Sequence, residues 1–160
     1  MTSAPSLQQP RDIRTALSSA GLIRLVSEID DHGAIPARGL ARTLTDLSVD
    51  RIRQAVEQAD SLGLLARTPG TVGLSAAGRD LADVYDATAR WARRHNHPAA
   101  HCDFAGRIHS TFTLLGAPTA DPPNPKDERE AELGRIERLM AEWVRNHLTQ
   151  RTRRVDGAAA

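Results

Sequence analysis

One cysteine, Cys102, stands in 160 residues. An intramolecular disulfide framework is therefore excluded, and a buried thiol in a reducing compartment is expected. No apolar run approaches the roughly 20 residues that cross a bilayer, and Met1–Gln9 is polar, without the hydrophobic core of a secretory signal. A cytoplasmic protein without membrane contact is expected. Positive charge barely exceeds negative: the formal net charge is +1, far from the strongly basic balance of many nucleic-acid binders, so global charge selects no function. Lysine is nearly missing, with Lys126 the only one. The other basic side chains are arginines, whose planar fork suits bidentate contact with guanine or phosphate. No phosphate-cradling glycine loop, HExxH, GxSxG or Rossmann fingerprint is present, so neither an enzyme nor a cofactor is expected.

What is present is an ordinary globular composition, 40% hydrophobic and 26% charged, which fits one domain with accessory helices. Pattern is densest between Gly33 and Gly78. From Pro36 to Leu44 the spacing sets Ala37, Leu40, Ala41 and Leu44 on one helical face, with Arg38 and Arg42 opposite. Ser48 is placed to accept from the orphan N–H groups of a helix beginning at Val49. Ile52, Val56, Ala59 and Leu62 form that helix's inward stripe, Asp50, Arg51, Arg53, Gln54 and Glu57 project outward, and Gly63 supplies a left-handed stop. Leu64–Thr68 and Thr71–Leu74 flank Pro69-Gly70, a pair suited to a type II turn, and predict a short hairpin. A plain loop is the alternative, since tight hairpins prefer primed turns. Ser75 then caps a long helix in which Leu81, Val84, Tyr85, Thr88 and Trp91 share a face, running to about His95 before Asn96 and Pro98 end it.

Three of these stretches, Gly63-Leu64-Leu65, Leu74-Ser75-Ala76-Ala77-Gly78-Arg79-Asp80-Leu81 and Arg90-Trp91-Ala92-Arg93-Arg94-His95, resemble the bacterial HxlR/MarR winged-helix regulators. The shared features are a GLV-type step into the wing, an LTxxGRxL opening of the next helix, and a WxxxH ending. The resemblance covers roughly Ala20 to His95; the wing is shorter than is usual in HxlR proteins, and the segment after His97 has no counterpart. It implies a homodimeric transcription factor, mainly α with a small β-hairpin wing and additional C-terminal helices. Its second helix-turn-helix helix, 48–62, would enter the major groove of double-stranded DNA. On that reading Arg51, Arg53 and Gln54 read base edges, and Ser48 and the helix N-terminus meet phosphate. Arg38 and Asp50 share the contact surface, and Arg67 and Thr71 anchor the flank. Asp46 and Asp50 beside this head repel phosphate and keep a second function open, a winged-helix interaction or dimerisation module that does not bind DNA.

Residues 1–10 read as a flexible N-terminus and 11–97 as the DNA-binding domain, opened by a helix from Arg11 to Asp31 that breaks locally at Gly21. An accessory helix follows within 98–116, with His101, Phe104, Ala105, Ile108, Phe112 and Leu115 on one side, and 117–124 is a proline-rich linker. Asn124 as N-cap, Pro125 in first position, and Asp127 and Glu128 in the first turn mark a C-terminal helix, 125–150. Leu133, Ile136, Met140 and Trp143 give it a heptad-like seam, widened by Leu139, Val144 and Leu148, which predicts pairing with a second subunit. Packing back on its own chain is the alternative. Residues 151–160, with Arg151, Arg153 and Arg154, read as a frayed, disordered basic tail. His95, His97, His101 and Cys102 lie close together, yet their spacing matches no strong zinc motif, so no metal is expected. His95 suits a helix C-terminus, His101 the head of an apolar stripe, and Cys102 a core position. No convergent polar cluster marks a small-molecule effector site.

Overall fold

In the computed structural model, which describes residues 10–118, 121–122 and 124–158, the opening helical stretch breaks at Ser18-Ser19 and not at Gly21. Helix α1 spans Pro10–Leu17 and α2 spans Ala20–His32. The Ser19 hydroxyl accepts from the Leu22 N–H at 3.2 Å, the N-cap bond that starts α2, and donates to Gln58 Oε1 at 3.0 Å. Gly21 sits inside α2, where a β-carbon would stand 3.5 Å from Ala55 Cβ. Its bareness serves a close helix approach. The expected N-terminal segment lies outside the described residues up to position 9.

The single helix expected from Pro36 to Leu44 is replaced by three short pieces: strand β1 (Ile35–Pro36), a 3₁₀ turn (Ala37–Gly39) and helix α3 (Leu40–Thr43). The cause is nonlocal. Ile35 and Pro36 pair with Val72 and Thr71, and the Ala37 N–H donates to Gly70 O at 3.0 Å. Helix α4 (Val49–Ser61) buries Ile52, Ala55 and Ala59 and packs on α2. It ends with Gly63 at φ +72°, the Gly63 N–H on Asp60 O (3.0 Å) and the Leu64 N–H on Ala59 O (2.9 Å). These are the paired bonds of a Schellman ending. Strands β2 (Leu65–Thr68) and β3 (Thr71–Leu74) form the expected hairpin, and Gly70 takes the positive φ, +81°, that a type II turn requires. Strand β1 adds beyond β3, so the antiparallel sheet has the order β1-β3-β2.

Ser75 caps α5 (Ala76–Arg94): its Oγ accepts from the Gly78 N–H at 3.2 Å and donates to Gly63 O at 2.6 Å, tying the end of α4 to the start of α5. Leu81, Val84, Tyr85, Thr88 and Trp91 are all buried, as their spacing predicts. Helix α6 (Phe104–Gly116) starts later than expected because Asp103 is its cap, accepting the Gly106 N–H at 2.7 Å. His101 is left exposed outside the helix. Helix α7 (Glu128–Trp143) begins after an Asp127 cap, while Asn124 only closes a turn onto the Lys126 N–H. A π-helical turn (Val144–Leu148) carries α7 into α8 (Thr149–Ala158), so the tail is helical through residue 158.

Helix α7 runs antiparallel along α5, with Glu132 beside Arg94 and His95 and Trp143 beside Ala77. Ile136, Met140 and Trp143 are buried, and Leu133 is half-buried against Trp91 and Ala92. Within this one chain the four residues of the expected seam pack on the core around α5, the alternative their spacing left open. Within the same chain α5 offers an apolar stripe, and burial there removes Leu133, Ile136, Met140 and Trp143 from water without a second subunit. The architecture is thus mostly helical, 70%, with a small three-stranded antiparallel sheet. Among the described residues no helix is long and apolar enough to cross a membrane.

Candidate nucleic-acid interface

Packing fixes which side of α4 faces outward. With Ile52, Ala55 and Ala59 buried, and Gln58 Nε2 donating to Ala16 O at 2.7 Å, helical geometry turns Asp50, Arg51, Arg53, Gln54 and Glu57 away from the core. All five are exposed, and Val49 at the head of the helix is 63% exposed. The Ser48 hydroxyl accepts the Arg51 N–H at 3.2 Å. The other amides of that first turn carry the positive end of the helix dipole. Arg38 in the 3₁₀ turn and Arg42 in α3 are exposed as well. Among the described residues, Arg38, Arg42 and Arg51 have no ion-pair partner.

The carboxylates near this face differ in how they are compensated. Asp46 is gripped by Arg24 through Nε at 2.9 Å and Nη2 at 3.0 Å. That hydrogen-bonded fork holds the carboxyl below its usual range. Much of the repulsion expected from Asp46 is therefore cancelled within the chain, by a residue whose role leaves no trace in local spacing because it joins α2 to the loop before α4. Asp50 stands 3.5 Å from Arg53 one turn along, both strongly exposed, a pair of little energetic weight.

The hairpin residues have partners within the chain. Arg67 on β2 is turned onto Asp60, with Nη2 at 2.5 Å and Nε at 3.3 Å, and this bond pushes the guanidinium pKa further up. Arg67 thus meets the C-terminal half of α4 and starts from an ion pair, not as a free cation. Thr71 shares a hydroxyl hydrogen bond with Thr68 across the turn. The structure brings Ser48, Asp50, Arg51, Arg53 and Gln54 together at one end of α4 and sets Arg67 near the other. At that other end Arg151 Nη1 donates to Ser61 O at 3.0 Å, placing a cation where the dipole of α4 favours one.

The histidine-rich segment is occupied structurally. His95 Nε2 lies 3.2 Å from Glu132 Oε2, His97 is half-buried with its ring 5.7 Å from Trp91, His101 is exposed and Cys102 half-buried. Buried Arg107 donates to Ala92 O, His97 O and Ala100 O, holding this turn through its backbone. Among the described residues no three His, Cys, Asp or Glu side chains are placed to hold a metal. Comparisons with protein-family models, with curated proteins and with solved structures find no match to this chain.

Proposed function

We propose that this chain is a winged helix-turn-helix transcriptional regulator that binds double-stranded DNA as a homodimer, in the cytoplasm and without catalytic activity. The exposed arginines and glutamine on the outward side of α4, a helix whose inward side is fixed on α2, carry this reading. Arg51, Arg53 and Gln54 are the base-reading set, Arg38, Arg42 and the α4 N-terminus meet phosphate, and the hairpin lies along the flank. Arg67 serves there only by leaving Asp60 for a phosphate, an exchange of one anion for another.

The test is titration of labelled duplex DNA, starting with the sequence upstream of the chain's own gene, over a range of salt. A regulator shows a linear fall of log affinity with log salt. Arg53→Ala is expected to cost about 1–3 kcal/mol and to relax preference at one base position. Asp60→Asn, which frees Arg67, is expected to strengthen binding to all sequences alike. Absence of binding at low salt overturns the proposal and favours the second reading, a protein-docking module, for which the pairing of Arg67 with Asp60 speaks.

A further inference from the structure

Two cations fasten to neighbouring residues at the end of α4. Arg67, from β2, donates to both carboxylate oxygens of Asp60, through Nη2 at 2.5 Å and Nε at 3.3 Å. Arg151, from α8, donates through Nη1 to Ser61 O at 3.0 Å. Its guanidinium fills the space over Gly63, where a β-carbon would stand 2.5 Å from Nη1 and 3.0 Å from Cζ. Helix α8 is therefore docked beside the hairpin, at the opposite end of α4 from Ser48.

The arm that docks there is rich in positive charge. Between Glu142 and Asp156 the sequence carries Arg145, Arg151, Arg153 and Arg154 and no carboxylate. Arg151 is engaged with α4. Arg153 and Arg154 are exposed and, among the described residues, have no ion-pair or hydrogen-bond partner. They follow Arg151 by two and three positions, and at about 100° of turn per residue neither points into the contact that Arg151 makes. On this part of α4 Asp60 is held by Arg67. Glu57 alone stays unpaired there among the described residues, one negative charge beside three arginines, so the local field is positive.

We propose that α8 is a further contact with double-stranded DNA, in which Arg153 and Arg154 hold backbone phosphates of the flank beyond the hairpin. The inference deepens the DNA-binding reading above and rests on it. An arginine without a partner gives up nothing within the chain when it meets a phosphate, whereas Arg67 must first leave Asp60. Its fork binds phosphate oxygens in pairs and reads no base, so this contact adds affinity and fixes register without adding sequence preference. A duplex is the polyanion that the position selects. One that holds α4 in its groove and the hairpin on its flank brings its next phosphates to α8, because β2 and α8 are fastened to the consecutive residues Asp60 and Ser61.

The test measures affinity against salt for a duplex carrying the upstream sequence and for a duplex of random sequence. The unsubstituted chain is compared with two full-length double variants. One is Arg153→Gln with Arg154→Gln; the other is Arg135→Gln with Arg138→Gln, which removes the same charge from exposed positions on α7. Loss of two phosphate contacts is expected to lower the slope of log affinity against log salt by roughly 2 for the α8 variant on both duplexes, with the ratio of the two affinities unchanged. The α7 variant is expected to keep the slope of the unsubstituted chain. Equal slopes in all three chains, or the same drop in both variants, overturn the α8 contact and leave the DNA-binding reading standing. If the unsubstituted chain binds neither duplex at low salt, that reading falls and the contact with it. Should the α8 variant not fold by circular dichroism, modification of the unsubstituted chain with phenylglyoxal replaces it. Bound duplex is expected to shield Arg153 and Arg154, and equal modification with and without duplex overturns the contact.

Discussion

Two glycines in helices show how differently the same residue type is used. Gly78 lies under Leu64 O, which would stand 2.2 Å from a β-carbon, whereas nothing lies within 4 Å of a β-carbon at Gly134. Gly78→Ala is expected to destabilise by about 1–3 kcal/mol through overpacking against backbone. Gly134→Ala is expected to stabilise by about 0.5–1 kcal/mol by removing chain entropy from the interior of α7. Chemical denaturation of both variants checks the pair, and equal effects would refute the distinction. Gly78 stands in the stretch Leu74 to Leu81, and its bareness allows the close passage of the first turn of α5 beside Leu64 O. Tyr85 makes a second residue-level case. Its O–H donates to Leu17 O at 2.6 Å and burial pushes its pKa far up. A phenol whose folded pKa is raised contributes stability that is complete below its unfolded value of about 10 and is lost as pH rises above it. Tyr85→Phe should cost about 1–3 kcal/mol at neutral pH by leaving Leu17 O unpaired, and should flatten the alkaline fall in melting temperature.

At the scale of elements, α4 and α5 were legible because three local signals coincide in each: a serine cap, an apolar stripe and a stop. Ser48 and Ser75 both accept the N–H three residues on, and Gly63 adopts the predicted left-handed backbone. Where a nonlocal partner decides, local spacing misleads. Pro36 to Leu44 has helical periodicity, but pairing of Ile35 and Pro36 with β3 converts its start to strand. The late starts of α6 and α7 share another cause: Asp103 and Asp127 each sit closer to the apolar run than the signals that pointed upstream. The outward set on α4 followed from the same stripe that predicted the helix, whereas the turning of Arg67 onto Asp60 depends on how the hairpin folds over α4. Ser75 is the joint of this region, since its hydroxyl serves α5 as acceptor and Gly63 O as donor. Ser75→Ala should cost about 1–2 kcal/mol. Hydrogen exchange should show the loss spreading to the last turn of α4, and a loss confined to α5 would contradict the joint.

At the scale of the whole molecule, a net charge of +1 hides a separation of signs. Asp30 and Asp86 both have raised pKa values, in each case first from burial and then from neighbouring carboxylates, Asp31 and Asp83 for the former and Asp30, Asp31 and Asp83 for the latter. Arg90 offsets this only in part at Asp86. Four aspartates on α2 and α5 thus repel one another at neutral pH, on the same framework that holds α4 and its arginines outward. For an acid with a raised folded pKa, the favourable contribution is complete below the unfolded value of about 3.9 and is lost as pH rises through the folded one. The cluster therefore weakens the fold at pH 7. Asp86→Asn is expected to raise the melting temperature by about 1–3 °C at pH 7 in low salt. The part of the gain that comes from carboxylate repulsion should shrink in 1 M salt, where the Debye length falls to about 3 Å, the part from burial should remain, and both should vanish below the carboxylate range, where the native side chain is itself neutral. Scanning calorimetry at two salt concentrations and two pH values checks this: a gain that persists below the carboxylate range is a packing effect of the amide and overturns the electrostatic account.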